Sequence, residues 1–186
     1  MKLNIYIISH PIIKILSNSI IRNNKIIIKD SQQYKYLGFL LIYETMRKYI
    51  NIKSIYIKKT NYVKTIYVTD PNKENYIFTN LIETYKIIGE ITLLLPEIKV
   101  VNIDTKKKIE KIHLDLKNTN TNKEIIIFDT VLKSTWIIEI VKDLNKNKEI
   151  CIENIKIACL ACYNQILNKL GKEYPKLQIY TTEIIY

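Results

Sequence analysis

The sequence predicts an α/β protein in which a largely parallel central sheet is flanked by helices, with further helices at the amino terminus and a β-hairpin arm after them. Three observations predict it. The carboxyl-terminal third alternates short apolar runs with segments of helical period, the first fifty residues carry mostly helical spacing, and residues 53–78 are rich in β-branched and aromatic residues around a turn signal. With 186 residues, 47% hydrophobic and 25% charged, the chain is read as a single domain, 1–186, with a packed core.

The helical part spans residues 1–50. Pro11 suits a first helical turn, and Ile12, Ile15, Leu16 and Ile20 recur near helical spacing up to Arg22. Ser31 can cap a second helix to about Tyr49, with Leu37, Leu40, Leu41 and Glu44 along one side. The arm is assigned to residues 53–78: strands at Ile55–Ile57, Val63–Thr69 and Tyr76–Phe78, with Asp70-Pro71-Asn72 as a turn. The sheet core is assigned to 79–186. Leu81–Leu94 has helical length and stops before Pro96, and Lys99–Ile103 and Ile109–Leu116 read as strands. Past the polar loop Asn118–Asn122, Glu124–Phe128 is a buried-strand run ending in Asp129, followed by a helical segment Ser134–Leu144. The pattern repeats as strand Ile155–Leu160, helix Tyr163–Gly171 and strand Leu177–Tyr180, and such alternation implies parallel pairing.

The balance of 29 Lys+Arg against 18 Asp+Glu gives a net charge of +11. Lysine, asparagine, isoleucine and tyrosine crowd the chain while alanine occurs only at 158 and 161, a bias of A/T-rich codons that supplies positive charge without selection for a polyanion. Nucleic acid is therefore not the expected partner. No apolar stretch approaches the ~18–20 residues of a membrane span, and no membrane association is expected. Three cysteines cannot build a disulfide framework, which favours a reducing compartment. With no signal or transit pattern at Met1–Tyr6, the bias points to a plastid (the chloroplast stroma), and a bacterial cytoplasm is the second choice.

Ligands of open α/β sheets bind beyond the carboxyl ends of the strands, where helix amino termini offer unpaired N–H groups to anions. Residues 129–136 fall there. Asp129 supplies a carboxylate for sugar hydroxyls or a metal, and Lys133, Ser134 and Thr135 at a helix start supply donors for phosphate. Elsewhere the plain readings are preferred. His10 before Pro11 is an entry or packing residue, His113 a solvated strand residue, and Glu44 with Arg47 a surface pair. Cys159 and Cys162 have CxxC spacing without a second half for a zinc site. Lys106–Lys108 and Lys142–Lys148 are solvated runs, and no nucleophilic triad, Walker loop or dinucleotide fingerprint is present. Only 3 glycines occur, about a quarter of ordinary usage near 7%, which disfavours glycine-built phosphate loops.

Four separated segments, in order, resemble the uracil phosphoribosyltransferase family. They are His10-Pro11-Ile12-Ile13, Leu40–Met46 (against Leu-Leu-Thr-Tyr-Glu-Ala-Thr), Asp129–Ile137 (against the phosphoribosyl-diphosphate loop Asp-Pro-Met-Leu-Ala-Thr-Gly-Gly-Ser), and Leu160–Ile166 with Tyr174-Pro175-Lys176 and Ile179-Tyr180-Thr181. The resemblance implies a type I phosphoribosyltransferase fold, dimerisation through the arm and amino-terminal region, and a reaction joining uracil to phosphoribosyl diphosphate with magnesium, giving UMP and pyrophosphate. It also implies where that reaction is weakened. Asp129 keeps the family carboxylate and Ser134 stands for a threonine, but Thr135 and Trp136 replace the two glycines of the loop. Ile82 falls on the pyrophosphate-binding arginine and Glu83 adds negative charge beside it. The family's Tyr-Arg-Asn-Glu-Glu segment has no counterpart in Asp104–Lys108, and the family's glycine-rich pyrimidine segment finds no match before Tyr186. The resulting expectations are a vestigial phosphoribosyl-diphosphate site at Asp129, Lys133, Ser134 and Thr135, with no catalytic, uracil-binding or metal-binding residue assigned. Magnesium would act only if activity survives. Catalysis is expected to be impaired or lost, and the alternative is a non-catalytic scaffold or regulatory subunit pairing with itself or a full-length relative.

Overall fold

The computed structural model describes residues 3–22, 31–103, 122–146 and 149–186. Its centre is a seven-stranded sheet built from β1 (Asn4–Ile7), β4 (Lys73–Thr79), β5 (Ile98–Asn102), β6 (Asn122–Leu132), β7 (Ile155–Tyr163), β8 (Gln178–Thr181) and β9 (Glu183–Ile185). The spatial order is β1-β8-β7-β6-β4-β5, with β9 continuing along β7 beyond β8, and every pairing is parallel. The two central strands, β6 and β7, are buried along almost their whole length. Both faces of a parallel sheet are covered, so such strands read as unbroken apolar runs rather than alternating ones.

Helices α1 (Pro11–Arg22), α2 (Ser31–Met46), α3 (Leu81–Ile88) and α4 (Ile91–Leu94) cover one face, where Leu37, Leu41, Ile42, Ile87 and Ile88 pack on Ile77, Ile126, Phe128, Ala158 and Leu160. Helices α5 (Trp136–Lys146) and α6 (Asn164–Glu173) cover the other. The buried stripe of α5 is Ile137, Ile140, Val141 and Leu144, the i, i+3, i+4, i+7 spacing of a core-facing helix. Helices reach opposite faces because parallel crossovers are right-handed and the chain steps along the sheet in two directions. It steps from β4 outward to β5, then from β6 the other way to β7 and β8. The reversal falls between β4 and β6.

The expected elements need three corrections. Residues 73–78, placed in the arm, form β4 with Thr79 at the middle of the sheet, paired with β5 and β6. Their burial explains it: Tyr76, Ile77, Phe78 and Thr79 are all buried, which an exposed hairpin cannot provide. The arm is therefore β2 (Ile52–Lys58) with β3 (Val63–Thr69), an antiparallel ribbon separate from the main sheet. Second, of the apolar positions that mark α1, Leu16 packs on the core while Ile12 and Ile15 are exposed, and the inward side is completed by Ile13 and Ser17. Third, Leu81–Leu94 is two helices broken at Gly89. The expected strand Ile109–Leu116, and His113 and Lys106–Lys108, lie outside the described residues. In α2, a side chain at Gly38 would run into the backbone carbonyl of Ile87, so glycine is what lets α2 close on α3.

At the amino ends of the strands the interior is polar. Lys156 on β7 is 1% exposed and forms an ion pair with Glu124 on β6. Its ammonium lies 3.8 Å from the ring centre of Tyr49, whose hydroxyl bonds Gln178 and lies 2.6 Å from the Tyr180 hydroxyl. Burial pulls the Lys156 pKa down, and the Glu124 carboxylate pulls it back. Lys156→Met leaves Glu124 in the interior with the more distant Lys73, at 3.9 Å, as its remaining ion-pair partner, and losing one partner of a buried pair costs up to about 3–5 kcal/mol. Chemical denaturation should show that loss for Lys156→Met and a much smaller one for the double variant Lys156→Met/Glu124→Leu.

Candidate functional site

Because the strand order reverses between β4 and β6, the crevice beyond their carboxyl ends is the expected ligand position of this architecture. β4 ends at Thr79, paired with Phe128, while β6 runs on to Leu132 alongside β7. Asp129 is the first residue of β6 past the last β4 pair. The junction beneath it is pinned by hydroxyls: Thr79 donates to the Phe128 carbonyl at 2.9 Å and lies 2.7 Å from the Thr84 hydroxyl, which donates to the Asn80 carbonyl at 2.8 Å.

A cleft of about 380 Å³ opens there, lined by Asn80 and Glu83 from the start of α3 and by Asp129, Val131, Lys133, Ser134, Thr135, Trp136 and Glu139. All four residues expected at the site, Asp129, Lys133, Ser134 and Thr135, thus line one cleft. The Thr135 carbonyl accepts the first helical bond of α5 from Ile138 at 2.9 Å, so α5 starts at the rim. Charge is what sets this cleft apart from an anion cradle: three carboxylates face it, Glu83, Asp129 and Glu139, against one lysine, Lys133. Asp129 is 8% exposed, and its pKa is pushed up to about 7, chiefly by burial and further by Glu83. The backbone N–H groups of Thr130 and Val131 and the Lys133 charge oppose that rise without cancelling it.

Nor is the amino terminus of α3 open to an anion. The Asn80 side chain accepts from the Ile82 N–H at 3.2 Å and the Asn102 side chain from the Leu81 N–H at 2.9 Å. Asn80 is legible in the sequence as a helix cap. Asn102, twenty-one residues away, and Glu139, one turn into α5, left no local signal for a role at this cleft. Ile82, in the place of the family arginine, is 81% exposed and carries no charge. The Thr135-Trp136 substitution is accommodated without strain: among the described residues only Glu149 has a left-handed backbone outside glycine, so this loop follows a path that ordinary residues adopt.

Magnesium takes oxygen ligands, which the cleft's carboxylates are. Among the described residues, however, no group of three or more His, Cys, Asp or Glu side chains gathers closely enough to hold a metal ion. Among the described residues the cleft's side chains therefore do not form a magnesium site by themselves. Cys159 and Cys162 are both buried free thiols, donating to the carbonyls of Tyr180 and Glu183. His10 precedes α1, its carbonyl accepting from Lys14, and Glu44 and Arg47 form a 3.3 Å pair.

A parallel sheet wound both ways from β4 and β6, with an aspartate-bearing strand and a helix start at the reversal, defines a type I phosphoribosyltransferase-like protein. The AQ2163 protein from Aquifex aeolicus shares this fold: its structure matches with a TM-score of 0.73 at 19% identity, over 97% of this chain and 86% of that one. The uracil phosphoribosyltransferase family profile matches residues 7–185. Two proteins named uracil phosphoribosyltransferase homolog, from Porphyra purpurea and Pyropia yezoensis, are 29% and 30% identical over 99% of this chain and 89% of theirs. This chain belongs to the uracil phosphoribosyltransferase family.

The raised pKa of Asp129 fixes a sign. Between the unfolded value of 3.8 and about 7 the folded chain holds a proton that the unfolded chain has released, so this group's contribution to stability falls as pH rises through that window and levels off above it. Asp129→Asn should therefore unfold at a higher temperature than the parent above pH 7, with the gap closing toward pH 4. Parallel melting curves from acid to neutral pH measure it.

Proposed function

We propose that this chain is a uracil phosphoribosyltransferase homologue whose own transfer chemistry is impaired or lost. The observation that carries the reading is the charge of the cleft: three carboxylates and one lysine where the family's reaction has to hold a 5′-phosphate and a departing pyrophosphate. Stabilising developing negative charge is the largest single catalytic contribution in such sites, and one lost donor costs roughly 10²–10³ in rate. Here Ile82 offers none and Glu83 repels. What survives is the part nearest the ribose: Asp129 to accept from sugar hydroxyls, and Ser134, Thr135 and Lys133 at the start of α5 to meet a phosphate weakly. Magnesium would matter only for residual turnover, arriving with the diphosphate. The two red-algal relatives support a plastid setting.

The second reading, a non-catalytic scaffold pairing with itself or a full-length relative, draws on the arm. An isolated two-stranded hairpin is marginal in water, yet every residue of β2 is exposed, including Ile55 and Ile57, and α1 adds exposed Ile12 and Ile15. A second copy would cover this aliphatic surface.

Two measurements test these readings. With uracil, phosphoribosyl diphosphate and magnesium, the purified chain should form no UMP above a heat-inactivated control while an active relative does so alongside; steady turnover overturns the impaired reading. In sedimentation velocity the chain should run as a dimer and Ile55→Lys/Ile57→Lys as a monomer; a monomeric parent contradicts self-pairing.

A further inference from the structure

Residues directly opposite in an antiparallel pair share a face, so the register of β2 with β3 sorts the arm into two surfaces. One carries Ile55, Ile57, Ile66 and Val68, the aliphatic surface assigned above to a second copy, with Lys53 opposite Val68 and Lys64 opposite Ile57 at its two ends. The other carries Tyr56, opposite Thr65, and Tyr67, opposite Ser54, so the two tyrosines are diagonal neighbours, with Lys58 and Val63 next along the ribbon. They are 70% and 71% exposed, among the least covered aromatic side chains described.

Charge on the ribbon has one sign. From Ile52 to Thr69 there are lysines at 53, 58, 59 and 64 and no Asp or Glu. Lys53 is taken up by Asp70 at 2.7 Å. Among the described residues Lys58, Lys59 and Lys64 make no ion pair, and Lys59 lies 5.4 Å from the ring centre of Tyr62 at the tip. The tip is closed by the Lys59 N–H on the Tyr62 carbonyl at 2.9 Å. A/T-rich codons explain why lysine and tyrosine are common in this chain; the strand register is what sets Tyr56, Tyr67 and Lys58 on one face, with Glu97 reaching only its far end at Thr69.

We propose that the tyrosine face of the arm binds single-stranded nucleic acid, with bases stacking on Tyr56 and Tyr67 and phosphates meeting Lys58 on that face and Lys59 beside it at the tip. Exposed aromatic rings interleaved with unpaired cations complement a strand that carries flat bases and a phosphate on each unit. A second copy of this chain is the poorer occupant of this face, because it would set lysine against lysine on a molecule already at +11. Stacking and phosphate neutralisation ignore the 2′-hydroxyl, so RNA and DNA single strands bind alike. The linear sequence hides the site: the tyrosines are eleven residues apart, and only the strand register joins them. The proposal stands independently of what the cleft does.

The test is fluorescence anisotropy of labelled oligouridylate and oligodeoxythymidylate strands of about 12 nucleotides against the full chain. Both should bind, with log affinity falling against log salt at a slope of about −1.4, the value for two neutralised phosphates on a single strand. At fixed salt Tyr56→Ala/Tyr67→Ala should weaken binding by about tenfold or more, whereas Tyr56→Phe/Tyr67→Phe and the distant surface change Lys172→Gln should leave it unchanged. No binding at the lowest salt overturns the proposal. So does equal binding by the alanine variant, which would mean diffuse attraction to a basic protein, and so does dissociation of a dimer by that variant, which would assign the tyrosine face to a second copy.

Discussion

Asp129 lies at the point where β6 outruns β4, with most of its hydration removed and two further carboxylates, Glu83 and Glu139, around the same cleft. A desolvated carboxylate needs a cation or several strong donors to keep its charge. Lys133 and two backbone N–H groups go part of the way, and the proton affinity of Asp129 rises accordingly. Any polyphosphate entering this crevice meets the same field that resists the Asp129 charge. The capped start of α3 closes the other source of positive potential, because Asn80 and Asn102 already occupy its first N–H groups. The crevice at the strand-order reversal thus presents three carboxylates and one lysine.

The framework beneath is independent of that charge. Its polar buried cluster, Lys156, Glu124, Tyr49, Gln178 and Tyr180, sits at the amino ends of the strands, away from the cleft, and ties β6, β7 and β8 to the segment after α2. Apolar contacts on both faces do the rest, with α5 and α6 on one side and α1 to α4 on the other. Glu83 and Thr135 line the crevice without belonging to either packed layer, whereas Trp136 lines it and also packs against the α5–α6 layer.

Much of this was legible in the sequence, for particular reasons. Ile125–Phe128 and Ile155–Leu160 are unbroken apolar runs of strand length followed by helical stripes, so the parallel core and the position of Asp129 could be read directly. The same local reading misassigned Tyr76–Phe78, because a third short β segment after a hairpin has the same composition whether it extends the arm or enters the sheet. Its pairing with β5 and β6 is a long-range fact. On α1 the helical spacing of Ile12, Ile15, Leu16 and Ile20 marked the helix without fixing its inward side; an isoleucine-rich helix offers two such sides, and tertiary packing chose Ile13. At the cleft, loop residues were legible from their place after a strand, whereas Asn102 and the shared field of Glu83 and Glu139 come from different elements and appear only in three dimensions.

On the proposed function, cleft charge rather than a collapsed or blocked cavity excludes the diphosphate. Calorimetric titration of phosphoribosyl diphosphate with magnesium into the parent chain and into Ile82→Arg/Glu83→Ala separates the two. No measurable heat of binding is expected for the parent and a saturable isotherm for the variant, which gains a guanidinium next to the cleft and loses a carboxylate lining it. A saturable isotherm for the parent, equal to or tighter than that of the variant, would contradict exclusion by charge.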